Sequence, residues 1–527
     1  MLPRPVVCAL LALAVLAVAG CGGPAPLDET VRVEQGELRG LLDGDVLRFG
    51  DVPYAAPTPR WVPPRPPEPW SGVRDATGPG SRCPQTAAAP GVPHATAASA
   101  DEDCLTLDVT VPAGTTAGAR LPVLVWLHGG GFSAGAGADY DPRRLARAGL
   151  VVVTVNYRLG PLGFLALPEL SGSGAFGIQD QQAALVWVAR NAAAFGGDPE
   201  LVTLAGESAG ADGVCAQLAS PAAGGLFARA VMQSGGCGTA NVVDVIGPGT
   251  GPVGDTWKAL PVAEDMGEAT ADALGCDDGR RDDGRRDDGR RDDDRLACLR
   301  ALPVERLVGV PGYWSPAVGT PTLPRRPSDV LAQAPPVPVL AGTVRDEGVL
   351  FTHAFLPTLD ASTFRTLLAR AAGDRAREVG RAYAPGDRSP SRAWADVVTD
   401  RAYACPALAT YDRLAGRGPV FAYEFADTRA PSPFAAPAPD LADGVVHGAE
   451  VPYLFDLRPG PPLTAAQQGT ATDLVAAWAR FARTGDPGWP AWGAGGPVRT
   501  ITAGATSDVP AAEFAAAHHC DLWTGAP

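Results

Sequence analysis

Basic charge is in short supply in this chain: 43 lysines and arginines stand against 58 aspartates and glutamates, a formal net charge of −15 over 527 residues. A nucleic-acid partner calls for a basic face, so that class is set aside. Histidine is rarer still, six in all, which leaves few candidates for any reaction that needs an imidazole. No apolar run is long enough for a membrane span, which takes ~20 residues. No spacing of acids, histidines and cysteines suggests a coordination cage, so neither a metal nor an organic cofactor is expected.

Apolar residues are ample (46%), with 64 glycines and 53 prolines, which suits a sizeable core under a loop-rich surface. A length near 500 usually means two or three domains, large α/β enzymes being the exception. At the N-terminus Arg4 gives a short positive region, residues 6–18 are apolar, and Val18-Ala19-Gly20-Cys21 follows. This reads as a cleaved signal. The small-small-Cys ending resembles the lipobox of bacterial lipoproteins. That implies cleavage before Cys21, lipid on its sulfur, and attachment to a membrane surface, firm where two or more acyl chains are present. Secretion with a chance cysteine is the alternative. Residues 1–20 are thus the signal, 21–27 a tether and 28–527 a single domain, exported and held outside the cytoplasm. Export permits disulfides. Cys8 and Cys21 aside, eight cysteines remain (Cys83, Cys104, Cys215, Cys237, Cys276, Cys298, Cys405 and Cys520), whose pairing the sequence alone does not assign.

Residues 31–49 alternate apolar and polar around glycines, as small antiparallel strands do, and 105–111 alternate again. A Pro-rich stretch through Trp70 must run extended over the surface. Continuous apolar runs at 122–127, 150–155, 230–233, 337–340 and 420–425 suit strands buried on both faces. Residues 179–194 have helical periodicity, and 471–492 read as a late amphipathic helix presenting Leu474, Trp478 and Phe481. Strand alternating with helix over this length means a large, mostly parallel, doubly wound sheet with helices on both faces, its site at the carboxyl ends of the strands. Residues 277–295 repeat Asp-Asp-Gly-Arg-Arg three times before decaying. They read as a solvated, charge-balanced loop rather than a metal site, with Cys276 and Cys298 just outside.

The chain is organised around Gly206-Glu207-Ser208-Ala209-Gly210, at the end of a strand read at 201–204. Small residues two places either side of the serine allow a turn tight enough to lift its hydroxyl clear of the sheet; this is the nucleophile elbow of α/β-hydrolases. A serine hydroxyl is a weak nucleophile and needs a base. His94 and His128 precede Ser208, His353 follows the expected acid too closely, and His518 and His519 adjoin Cys520. His447, set between Gly444 and Gly448, remains. The acid should follow the strand at 337–340, where Asp346 and Glu347 are adjacent. Glu207 reads as a buried supporting acid pointed away from the chemistry. Gly130, Gly131 and Ala209 would supply N–H groups to an oxyanion, each worth ~3–4 kcal/mol. His128 reads as structural, and Ser234 either as a hydroxyl supporting the histidine or as plain core.

Phe49-Gly50-Asp51-Val52-Pro53-Tyr54-Ala55, Glu102-Asp103-Cys104-Leu105, His128-Gly129-Gly130-Gly131-Phe132, Asn156-Tyr157-Arg158-Leu159-Gly160, Phe195-Gly196-Gly197-Asp198-Pro199, the serine motif, Gln233-Ser234-Gly235, Asp346-Glu347-Gly348 and Gly444-Val445-Val446-His447-Gly448 occur in this order. So ordered, over nearly the whole mature chain, they resemble the type B carboxylesterase family, the cholinesterase-like branch of the α/β-hydrolases. The resemblance implies the α/β-hydrolase fold, a serine carboxylesterase acting on a small-molecule ester, and Glu347 as the acid that orients His447. It also implies the bridges Cys83–Cys104, Cys276–Cys298 and Cys405–Cys520. Cys215 and Cys237, each shortly after a neighbouring strand, are then a further pair or two buried thiols. Two rivals stay on the same fold: a non-catalytic adhesion protein, and a narrower lipase or choline esterase. No aromatic lies between Cys83 and Cys104 to bind choline as that branch does.

Overall fold

The computed structural model describes residues 25–87, 97–239, 255–276, 292–431, 441, 444–457, 462–493 and 496–523. The expected signal at 1–20, Cys21, His94 and the repeats at 277–291 lie outside them.

Eleven strands form the central sheet: β1 (Leu41–Asp43), β2 (Val46–Pro53), β3 (Thr106–Pro112), β4 (Leu121–Leu127), β5 (Val151–Val155), β6 (Gly197–Glu207), β7 (Arg229–Gln233), β8 (Val339–Val344), β9 (Val420–Phe425), β10 (Pro497–Thr502) and β11 (Ala505–Pro510). In space they run β11-β10-β9-β8-β7-β6-β4-β5-β3-β2-β1. From β10 to β5 every pairing is parallel. Outside that block β3, β2 and β1 on one side and β11 on the other are antiparallel. The sheet is therefore mixed, with a parallel centre. Seven of its strands, β3 to β9, were expected at or near where they lie; the β10–β11 hairpin was not, and the set does not end at β9. Most of β11 is exposed, so no apolar face marks it as a strand.

The parallel strands are buried almost throughout because both faces are covered. On β4, Val123, Val125 and Leu127 enter one core with Leu185 and Val188 of α1 (Phe176–Asn191) and Val214 of α2 (Ala209–Ala219). Leu124 and Trp126, pointing the other way, enter a second core with Leu474, Trp478 and Phe481. These three belong to a helix at Ala465–Thr484 rather than 471–492. Thr464 and Gln467 close its start as a reciprocal capping box, and Gly485, left-handed at φ 79°, ends it. Asp486-Pro487-Gly488 then excludes continuation.

Four disulfides join Cys83 to Cys104, Cys215 to Cys237, Cys276 to Cys298 and Cys405 to Cys520. The open question at Cys215 and Cys237 resolves as a bridge tying α2 to the segment after β7.

Candidate active site

β6 ends at Glu207 and α2 begins at Ala209, so Ser208 alone makes the turn. It does so at φ 56°, ψ −126°, a region that costs a side-chain-bearing residue on the order of 1–3 kcal/mol. The flanking glycines are required by contact rather than flexibility. A Cβ on Gly206 would fall 2.5 Å from the backbone of Gly210, and one on Gly210 would fall 2.0 Å from the carbonyl oxygen of Leu127. The same closeness brings the loop after β4 against the serine: a Cβ on Gly129 would sit 2.5 Å from Glu207 Oε2. Gly130 (φ 108°) and Gly131 (φ 61°) continue that loop. With Ala209 they line a cavity of about 270 Å3 that also holds Ser208 and His447.

The expected acid follows β8. Glu347, fully buried, accepts from the Val344 N–H (2.9 Å) and holds His447 Nδ1 at 2.5 Å. Its neighbour Asp346 serves another purpose: it pairs with Arg392 and accepts from Val445 N–H (2.8 Å), while its own N–H donates to the Val445 carbonyl (3.1 Å). The acid loop and the histidine loop are thereby stitched together two residues before the imidazole. Phe351 and Tyr403 pack on the His447 ring, at 5.1 and 5.4 Å between centroids.

His447 Nε2 faces Glu207 Oε1 at 3.4 Å and makes no hydrogen bond. The serine–imidazole bond is therefore not formed here; such bonds often tighten only with substrate bound. Glu207 is buried as expected, but it points at the imidazole rather than away. Burial would push the pKa of His447 down. The charge and hydrogen bond of Glu347, with Glu207 and Glu450 behind, carry it up to about 9 instead. Burial raises Glu207 to about 8, against the pull of His447. Glu450 was not foreseen: it is fully buried, raised by burial to about 7, and accepts from Gln233 Nε2 and Ser234 Oγ, both at 3.3 Å. Ser234 thus supports Glu450 and not the histidine directly. The one local signal for Glu450 is its place three residues after His447. His128 is buried, stacks on Tyr157 (4.4 Å), and is pushed down by burial to about 4, a neutral packing residue. His518 is spanned by Asp400 (2.6 Å) and Glu424 (3.1 Å), far in sequence from the serine motif.

A strained serine between a parallel strand and a helix, opening at the carboxyl end of a mixed sheet beside a glycine loop, is the architecture of an α/β-hydrolase. Residues 27–494 match the Carboxylesterase family, and the chain belongs to it; it is a carboxylic ester hydrolase. It is 33% identical to the para-nitrobenzyl esterase of Bacillus subtilis (strain 168) over 88% of this chain and 92% of that one. It is 34% identical to the phenmedipham hydrolase of Pseudarthrobacter oxydans over 93% and 98%. A solved PNB esterase superposes with a TM-score of 0.74 at 29% identity, covering 93% of this chain and 99% of that one.

Proposed function

We propose that the enzyme cleaves esters through an acyl-enzyme on Ser208, with His447 as base, Glu347 as its orienting acid, and the N–H groups of Gly130, Gly131 and Ala209 as the oxyanion hole. His447 Nε2 takes the hydroxyl proton as Ser208 Oγ attacks the ester carbonyl. The tetrahedral oxyanion collapses, and the alcohol leaves with that proton. Water, deprotonated by the same nitrogen, attacks the acyl carbonyl, and the carboxylic acid departs as Ser208 regains its proton. Glu347 stays ionised and favours the imidazolium that forms in each half. The observation that carries this reading is the convergence in one cavity of the strained serine, the glycine loop and an imidazole tethered to a buried carboxylate. Tyr140, Tyr313, Phe351 and Tyr403 also line it, which suits an ester with an apolar or aromatic portion. Ser208→Ala should fold normally and lose turnover of short p-nitrophenyl esters, together with labelling by an organophosphonate probe; retained turnover refutes the assignment.

We also infer export and lipid attachment at Cys21, on the sequence of residues 4–21. Ala25 and Pro26, within the expected tether, are both exposed. Cys21→Ser should move the enzyme from the membrane pellet to the soluble fraction after cell breakage. An unchanged distribution removes the anchor.

A further inference from the structure

The chain contains one lysine, Lys258, against 42 arginines, and it is buried. Burying an amine costs several kcal/mol unless its donors are met. Here Nζ donates to Ser315 Oγ (2.6 Å) and to the Asp255 carbonyl (3.1 Å). Ser315 Oγ in turn donates to that same carbonyl (3.2 Å). The Asp255 carboxylate is held by Arg326 (2.6 Å), and Lys258–Ala259 pairs in parallel with Ala317–Val318. All of this sews residues 255–259 to 315–318. Nζ also sits 4.6 Å from the centroid of the Tyr313 ring, and Tyr313 lines the cavity of Ser208 and His447.

We propose that Lys258 is a positioning residue of the substrate cavity, fixing Tyr313 from behind through the ring contact and through Ser315 two residues on. It thereby sets how tightly an ester seats, without taking part in acyl transfer. This rests on the reading of that cavity as the ester site. A Tyr ring held against an amine while it lines the cavity keeps one rotamer, and the ester then binds without first ordering it.

The test is a double-mutant cycle of Lys258→Met and Tyr313→Ala, followed by steady-state hydrolysis of p-nitrophenyl butyrate. Lys258→Met should raise KM ~5-fold with kcat within twofold, and should add nothing further in the Tyr313→Ala background, the coupling expected when one residue acts through the other. An unchanged KM, a loss confined to kcat, or additive effects overturn the proposal. Should Lys258→Met fail to fold, the wild-type enzyme gives the same answer. With lysine labelled at 15Nζ it has a single side-chain signal, which must shift when a p-nitrophenyl phosphonate fills the cavity; no shift overturns the proposal. The two readings fail separately: retained turnover in Ser208→Ala sinks the ester site, whereas an inactive Ser208→Ala beside a wild-type-like Lys258→Met sinks only the role of Lys258.

Discussion

Two of the buried histidines of this enzyme are hydrogen-bonded to carboxylates, and both are carried up to about 9 against the push of burial. They differ in how many nitrogens are committed. His518 has both taken, Nδ1 by Asp400 and Nε2 by Glu424. His447 has Nδ1 held by Glu347 while Nε2 is left without a hydrogen bond at the wall of a cavity. An imidazole with both nitrogens bound has no position from which to move a proton; it is a brace between the π-helix at Thr399–Ala404, strand β9 and the C-terminal segment. An imidazole with one nitrogen oriented and the other free has a fixed tautomer and, once neutral, a lone pair to offer. Perturbed pKa values alone do not separate the two; the count of committed nitrogens does.

The comparison breaks first at His447. His447→Ala should lower kcat for p-nitrophenyl butyrate by ~10⁴-fold or more, with the thermal melt little changed; activity within tenfold of wild type would make this histidine a packing residue. His518→Asn should do the reverse. Turnover should stay within about twofold, while stability falls by ~3–5 kcal/mol in urea, because two buried carboxylates lose the charge between them. The pH dependence has a definite sign. The folded pKa of His518 is raised above its ordinary 6.5 to about 9. Its contribution is therefore full below about 6.5 and is lost as pH climbs through about 9. The two acids shift oppositely, Glu424 lowered and Asp400 raised. Burial is the largest single influence on both. On Glu424 it is outweighed by His518 and Arg345, and on Asp400 it is not, so the imidazolium–Glu424 pair is the half of the brace expected to persist longest. A wild-type melt that does not differ from that of His518→Asn at pH 6 would show that the brace carries no load.

This distinction was only partly legible in the sequence. The serine turn was readable because its demand is local: no other residue fits where Gly206 and Gly210 meet the backbone. The parallel strands were readable because burial on both faces leaves an unbroken apolar run. His447 emerged by elimination among six histidines, and Glu347 and three of the four cysteine pairs from the family pattern, Cys215 and Cys237 staying open. What stayed hidden depends on distant segments meeting. Nothing near Glu450 says that Gln233 and Ser234 will face it, and nothing near Glu207 says that it turns toward residue 447. The late helix was misplaced although Thr464 and Gln467 spell its cap, because the apolar spacing was weighed before the cap. The β10–β11 hairpin carries too little apolar alternation to register at all.

The finest adjustment concerns Glu207. In the proposed mechanism a neutral His447 accepts the serine proton, yet the surrounding carboxylates favour its charged form, so activity should climb with pH through the ionisation of this cluster. Glu207 lies 3.4 Å from Nε2, and its negative charge, when present, stabilises the imidazolium. Glu207→Gln removes that charge while keeping the shape. With less to hold the proton, the imidazole should release it at lower pH, and the rising limb of kcat/KM should move toward acid by ~0.5–1 unit, worth on the order of 1 kcal/mol. His518, whose partners are untouched, should keep its own titration, as a histidine NMR titration would show. A limb that moves toward base, or stays put, would mean that Glu207 is protonated throughout and acts on His447 only by occupying space.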